Sequence, residues 1–146
     1  MGQPFATDDA WVVVPHRVLY GDTDAMGIVY YGTWLRFLEL GRNEYLRARG
    51  GSYREMEARG FRLPVAEVQV RYRAPARYDD ELLVATRVDE VRRVSVRFAY
   101  EVRRRGEEPL LVTGWSVHAC VDAATLKPVP LPPEVTAWLP SPRAPS

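Results

Sequence analysis

Residues 20–50 read YGDTDAMGIVYYGTWLRFLELGRNEYLRARG, and two carboxylates, Asp22 and Asp24, sit one residue apart there, just before Gly27 and a strongly apolar helical pattern. Asp and Thr in such a place cap helices and close turns by accepting hydrogen bonds from nearby backbone. The same residues are also the parts of an oxyanion site. Gly27 lets backbone approach a ligand closely, and the first N–H groups of the following helix lack partners within it. A carboxylate beside that helix end can attack a carbonyl carbon, or direct water at it, while the amides hold the charge that develops on oxygen. Thioesters suit this equipment, because their thiolate leaves without strong protonation, whereas an amide demands a good general acid. The residues alone do not choose between the two aspartates. Nor do they choose the role: a free aspartate, with a pKa of about 3.9, is a weak base at neutral pH, so attack through a mixed anhydride stands beside water activation.

Other chemistries have less to work with. His16 falls near a strand start and His118 inside a strand pattern, which assigns both to packing or surface. Cys120, the single cysteine, lies in the apolar run VHACV and reads as a buried strand thiol. No GxGxxG, Walker loop, CxxC, HExxH or GxSxG occurs, so nucleotide, zinc and serine-hydrolase readings have no local support. Asp22 and Asp24, or Asp79, Asp80 and Glu81, offer oxygen atoms to a metal but lack the spacing of a calcium loop. No metal or diffusible cofactor is expected.

The elements that must position Asp22 and Asp24 follow from periodicity. Residues 12–20 are apolar and β-branched around Pro15, which predicts an edge strand or one interrupted near the proline. From 33 to 49 apolar residues recur at helical spacing, and Gly50-Gly51 supplies the stop. Ala66, Val68, Val70 and Tyr72 alternate with Glu67, Gln69, Arg71 and Arg73, the period of a half-exposed strand ending at Ala74-Pro75. Alternating β-formers over 81–90, 94–103 and 110–122, parted by short charged turns, predict an antiparallel meander. A short helix is expected at 133–139, and the terminal PSPRAPS, 140–146, as a flexible tail. Five antiparallel strands need one face covered, and the long helix is the only element able to cover it.

Composition bounds the rest. At 146 residues the chain fits a single domain, 1–146, with its core over about 12–139. With 47% hydrophobic and 27% charged residues and a net charge of +1, it reads as globular and carries no nucleic-acid-binding tail. No run reaches the roughly 20 apolar residues of a membrane helix, and the N-terminus lacks signal-peptide character, so the cytoplasm is the expected address and no membrane partner is expected. Lys127 is the sole lysine among 20 basic residues, and guanidinium groups suit phosphates.

The segment DTDAMGIVYYGTWLRFLELGRNEYL resembles the hallmark of hotdog-fold acyl-CoA thioesterases, specifically the 4-hydroxybenzoyl-CoA thioesterase family and the related Tol-Pal-associated enzymes. The similarity runs over about residues 16–135, where FRLPVAEVQVRYRAPARYDDELLVATRVDEVRRVSVRF looks like the family's next three strands. The resemblance implies an α+β hotdog fold, a five-stranded antiparallel sheet wrapped around one long central helix. It implies hydrolysis of an acyl-CoA to a carboxylic acid and CoA, with Asp24 in the catalytic position and Asp22 supporting the loop and the substrate. It further implies that the Tyr31 backbone N–H polarises the thioester carbonyl while Gly27 lets the loop fold closely. Tyrosine at 31 matches the hydroxybenzoyl branch; Ala25-Met26 and Gly32-Thr33-Trp34 depart from its residues. Arg92 and Arg93 stand where the resembling enzymes hold basic residues against the nucleotide end of CoA, and adjacent arginines in a turn read equally well as a solvated surface. Arg103, Arg104 and Arg105 sit at the opposite ends of the strands and are read as surface. Pairing of edge strands implies a homo-oligomer, a dimer or tetramer. A silent acyl-CoA-binding domain and a hotdog hydratase or dehydratase, which would need a histidine beside an acid, are the alternatives.

Overall fold

A computed structural model describes residues 10–140, so the expected tail falls almost entirely outside the described residues. Strand β1 (Val12–Arg17) leads through a tight 3-10 turn, Tyr20–Asp22, and a loop to a second such turn, Tyr31–Thr33, which runs directly into helix α1 (Trp34–Ala48). There follow α2 (Tyr53–Ala58), β2 (Phe61–Arg62), β3 (Val65–Tyr72), β4 (Glu81–Val91), β5 (Ser95–Arg104), β6 (Leu110–Ala119), β7 (Val121–Asp122) and α3 (Pro133–Thr136). The main sheet has the order β1-β4-β5-β6-β3 and is antiparallel throughout.

The helix forms where the 3.6-residue period places Trp34, Phe37, Leu38, Gly41, Tyr45 and Leu46 on one face, and all of these are buried. They meet the inward rows of the sheet, Leu82, Val84 and Val88 of β4 and Val96, Phe98, Tyr100 and Val102 of β5. Tyr45 meets Phe98 edge to face with ring centroids 5.8 Å apart. Gly41 has a specific reason: a Cβ there would stand 2.3 Å from Thr86 Oγ1, so the helix lies on β4 at a distance only glycine permits. This is the hotdog arrangement, a sheet curled around one long helix.

Three expectations are refined. Strand β1 stops at Arg17, because the chain turns into the 3-10 turn three residues later; Pro15 sits paired opposite Leu83 on an edge strand, where its missing N–H costs no ladder bond. The meander comprises β4, β5 and β6 only. β3 crosses to the far edge beside β6, and β1 takes the place next to β4. Alternation along β3 is real but uncovered, since Val65, Val68 and Tyr72 are 51%, 43% and 48% exposed. The short helix α2, unread in the sequence, begins at Ser52, whose hydroxyl accepts the Glu55 N–H at 3.1 Å.

Candidate active site

The loop between β1 and α1 is closed twice over. Thr23 and Val29 form an antiparallel bridge, the Asp24 N–H donates to the Ile28 carbonyl at 2.9 Å, and the Gly27 N–H returns to the Asp24 carbonyl at 2.9 Å. Gly27 has φ +78°, a left-handed conformation that glycine adopts without a Cβ penalty. Beneath the turn Asp22 is 2% exposed. Its Oδ2 accepts the Leu19 N–H at 2.9 Å, its main-chain carbonyl accepts the Tyr30 N–H at 2.9 Å, and Arg36 Nη2 lies 3.4 Å from Oδ1. His16, tilted on the Phe37 ring, approaches Asp22 Oδ2 at 3.7 Å. Asp22 therefore faces the loop it supports and is not among the residues lining the Asp24 cleft.

Asp24 does line a cleft, of about 330 Å³, together with Met26, Ile28, Tyr31, Trp34, Tyr72 and Pro75. Its Oδ1 accepts the Met26 N–H at 2.8 Å, and among the described residues Oδ2 has no hydrogen-bond partner and Asp24 no ion pair. The turn Tyr31–Thr33 continues into α1, so the helical run starts at Tyr31, one turn earlier than the α-helix itself. The Tyr31 N–H is thus the leading amide of that run, with no intramolecular acceptor among the described residues. The walls are mostly apolar, with Arg73 their one cation, and open to solvent at Met26 and Tyr31.

Two residues that brace this cleft were not legible as such. The Tyr72 hydroxyl on edge strand β3 donates to the Tyr31 carbonyl at 2.9 Å, fixing the backbone that presents the leading amide. Arg104, read from sequence as surface, sends Nη2 to the Pro75 carbonyl at 2.6 Å and Nε to Asp80 Oδ2 at 2.9 Å, holding the cleft's far wall. Asp80 also accepts the Arg77 N–H, and these donors hold its carboxyl below the usual range despite partial burial.

The family model of the thioesterase-like superfamily matches residues 18–139. The chain belongs to that superfamily. It is 37% identical over 125 residues to the acyl-CoA thioesterase YbgC of Haemophilus influenzae, covering 84% of this chain and 90% of that one. To the acyl-CoA thioester hydrolase YbgC of Escherichia coli O6:H1 it is 36% identical over 123 residues, covering 84% and 91%. Among solved structures, a 1,4-dihydroxy-2-naphthoyl-CoA thioesterase from Synechocystis superposes with a TM-score of 0.80 at 26% identity, covering 88% of this chain and 96% of that one. With the superfamily comes the activity class: the chain is a thioesterase, and it hydrolyses a thioester.

Arg92 and Arg93 are not brought to Asp24 within this thioesterase chain. They occupy the β4–β5 turn, whereas the cleft lies at the start of β4; its eleven residues span on the order of 35 Å at about 3.3 Å each. Arg92 pairs with Glu90, and the Arg93 carbonyl accepts the Leu131 N–H. Arg103–Arg105 lie at the other end, as the strand geometry requires.

His118 is 1% exposed and packed, with both nitrogens engaged. Nδ1 lies 3.0 Å from the Leu63 carbonyl, so it carries the proton, and Nε2 accepts from Ser116 Oγ at 2.8 Å. Ser116 in turn accepts from the Tyr100 hydroxyl at 2.5 Å, and Arg42 Nη1 donates to Tyr100 at 3.2 Å. Burial pushes the Tyr100 phenol up to about 12, keeping it a donor, and lowers His118 to about 4, with the Arg42 charge adding to the effect. Because the unfolded chain holds a histidine of pKa about 6.5, it binds more protons than the fold between pH 6.5 and 4. Stability from neutral His118 is therefore full above about 6.5 and is lost as pH falls toward about 4, a change on the order of 3 kcal/mol. Urea unfolding at pH 7 and 4.5 is expected to show that decline in the native protein and a flatter profile in His118→Gln; equal slopes would contradict the assignment.

Proposed function

We propose that the thioester is an acyl-CoA and that Asp24 carries out its hydrolysis to a carboxylic acid and CoA. The observation that supports this most directly is the Asp24 carboxylate, one oxygen without a protein partner, in an apolar cleft shared with the leading amide of the helical run at Tyr31. The thioester carbonyl oxygen is placed on the Tyr31 N–H, where the helix end stabilises the developing negative charge. Asp24 then either bonds to the carbonyl carbon, expelling CoA thiolate and leaving a mixed anhydride that water cleaves, or takes a proton from water that attacks in its place. Both routes consume one water, break the C–S bond and yield carboxylate, thiol and one proton. Gly27 and Asp22 serve by shaping the loop.

The named relatives act on acyl-CoA, and membership of the hydroxybenzoyl branch is the finer reading, favoured by the tyrosine at 31. Neither histidine lines the Asp24 cleft, which disfavours a hydratase. Among the described residues no helix is long and apolar enough to cross a membrane, and a cytoplasmic location belongs to the same reading.

The protein is also proposed to be a homo-oligomer. Strand β3 is a sheet edge with an apolar row exposed, the kind of edge that folded proteins cover or pair. Antiparallel pairing of β3 with its copy reverses the strand direction. Arg92 and Arg93 of the partner subunit then arrive at the end of the sheet where Asp24 lies, which gives the arginines a route to CoA phosphates.

Thiol release from a panel of acyl-CoAs tests the chemistry. Asp24→Asn is expected to lower turnover by about 10²–10⁴-fold while substrate binding persists; near-native turnover would exclude Asp24. Light scattering tests the assembly: a dimer or tetramer is expected, dissociated by Val68→Asp, and a native monomer at working concentration would contradict it.

A further inference from the structure

A second cavity, of about 630 Å³, lies toward the Val65 end of β3 and shares no lining residue with the Asp24 cleft at the Tyr72 end. Arg42, Tyr53 and His118 form its polar part, and Leu63, Val65 and Val121 its apolar wall. Arg42 is the anomaly. Its Nη1 donates to the neutral Tyr100 hydroxyl and the guanidinium lies within reach of the Tyr53 hydroxyl, but among the described residues no carboxylate is within ion-pair distance and its Nε is buried without an acceptor. The Tyr53 hydroxyl is buried beside the guanidinium, within its electrostatic reach but without a hydrogen bond of good geometry. Ser116, His118 and the Leu63 carbonyl are engaged with one another, so the network behind Arg42 supplies no negative charge. Glu39, Glu57 and Arg62 also line the cavity; none is paired with Arg42, and Arg62 sits on the Glu57 and Phe61 carbonyls.

A guanidinium stays charged at any accessible pH, and a half-buried one facing a cavity is satisfied by an anion whose oxygens match its planar fork. The apolar wall selects an anion with a hydrocarbon body, and the volume is of the size that small-molecule sites have. We propose that this cavity is an organic-carboxylate site, in which Arg42 and Tyr53 donate to the carboxylate and Leu63, Val65 and Val121 hold the carbon skeleton. The carboxylate has two sources: a free organic acid, or the distal carboxylate of an acyl group. The second source rests on the acyl-CoA reading and on β3 pairing, which sets the Leu63–Val65 lip beside the partner subunit's cleft; the site itself rests on neither.

Titration calorimetry at constant ionic strength tests the site, with glutarate and benzoate against glutaramide and benzamide. The native chain is expected to bind each acid at least tenfold more tightly than its amide, a comparison that needs no variant. Arg42→Met is expected to weaken acid binding at least tenfold and Tyr53→Phe several-fold, while Asp24→Asn binds as the native chain does. Equal affinity for acids and amides, or undiminished acid binding by Arg42→Met, overturns the proposal. Hydrolysis of glutaryl-CoA and butyryl-CoA separates the sources. A tenfold fall in the glutaryl-to-butyryl ratio of kcat/KM in Arg42→Met assigns the site to the acyl chain, and an unchanged ratio with lost acid binding assigns it to a free acid. Acid binding by a native chain that cleaves no member of the acyl-CoA panel would refute the acyl-CoA reading and leave the carboxylate site standing.

Discussion

A buried carboxylate under the β1–α1 loop holds the site together. Asp22 has lost its water, and a carboxyl group in that position is costly unless donors surround it. The Leu19 N–H and Arg36 supply them, with His16 alongside, while the residue's own carbonyl takes the Tyr30 N–H. One residue thereby pins the loop where it leaves β1 and again where it enters the helical run. Asp24 is carried between those pins and the Tyr31 amide directly follows the second, the two groups proposed to act on the thioester.

The remaining constraints come from packing. Gly41 lets α1 settle onto β4, which fixes where the helical run begins relative to the sheet. Tyr72 reaches across from the opposite edge to the Tyr31 carbonyl, and Arg104 holds Pro75, so the cleft is bounded by elements far apart in sequence. A reacting group that must be placed to within fractions of an ångström is served by such rigid supports on a helix and a sheet.

Local periodicity made α1, β4, β5 and β6 readable, because each buries one face and the pattern of burial is written every 3.6 or two residues. The Asp22–Asp24 pair and Gly27 stood out because they lie a few residues before a helix start, whereas the choice of Asp24 and the Tyr31 amide rests on the family resemblance. What stayed hidden depends on distance. The alternation of β3 is the same whichever neighbour it pairs with, so its place beside β6 is a tertiary outcome. Tyr72 looked like one more strand residue until its hydroxyl met a carbonyl 41 residues away. The arginine clusters carried charge without position: Arg104 turned out to be a brace, and Arg92 and Arg93 lie an entire strand from the cleft. Only α2 left a local mark that went unread, Ser52 three residues before Glu55.

On the proposed mechanism a thioester carbonyl sits between Asp24 and the Tyr31 amide. The most direct test of this placement is a crystal structure with an acyl-CoA analogue in which a methylene replaces the thioester sulfur. The ketone oxygen is expected within about 3 Å of the Tyr31 nitrogen and the ketone carbon roughly 3–3.5 Å from an Asp24 oxygen. A ketone bound elsewhere, with Asp24 still turned only to the Met26 N–H and nothing on the Tyr31 amide, would contradict it.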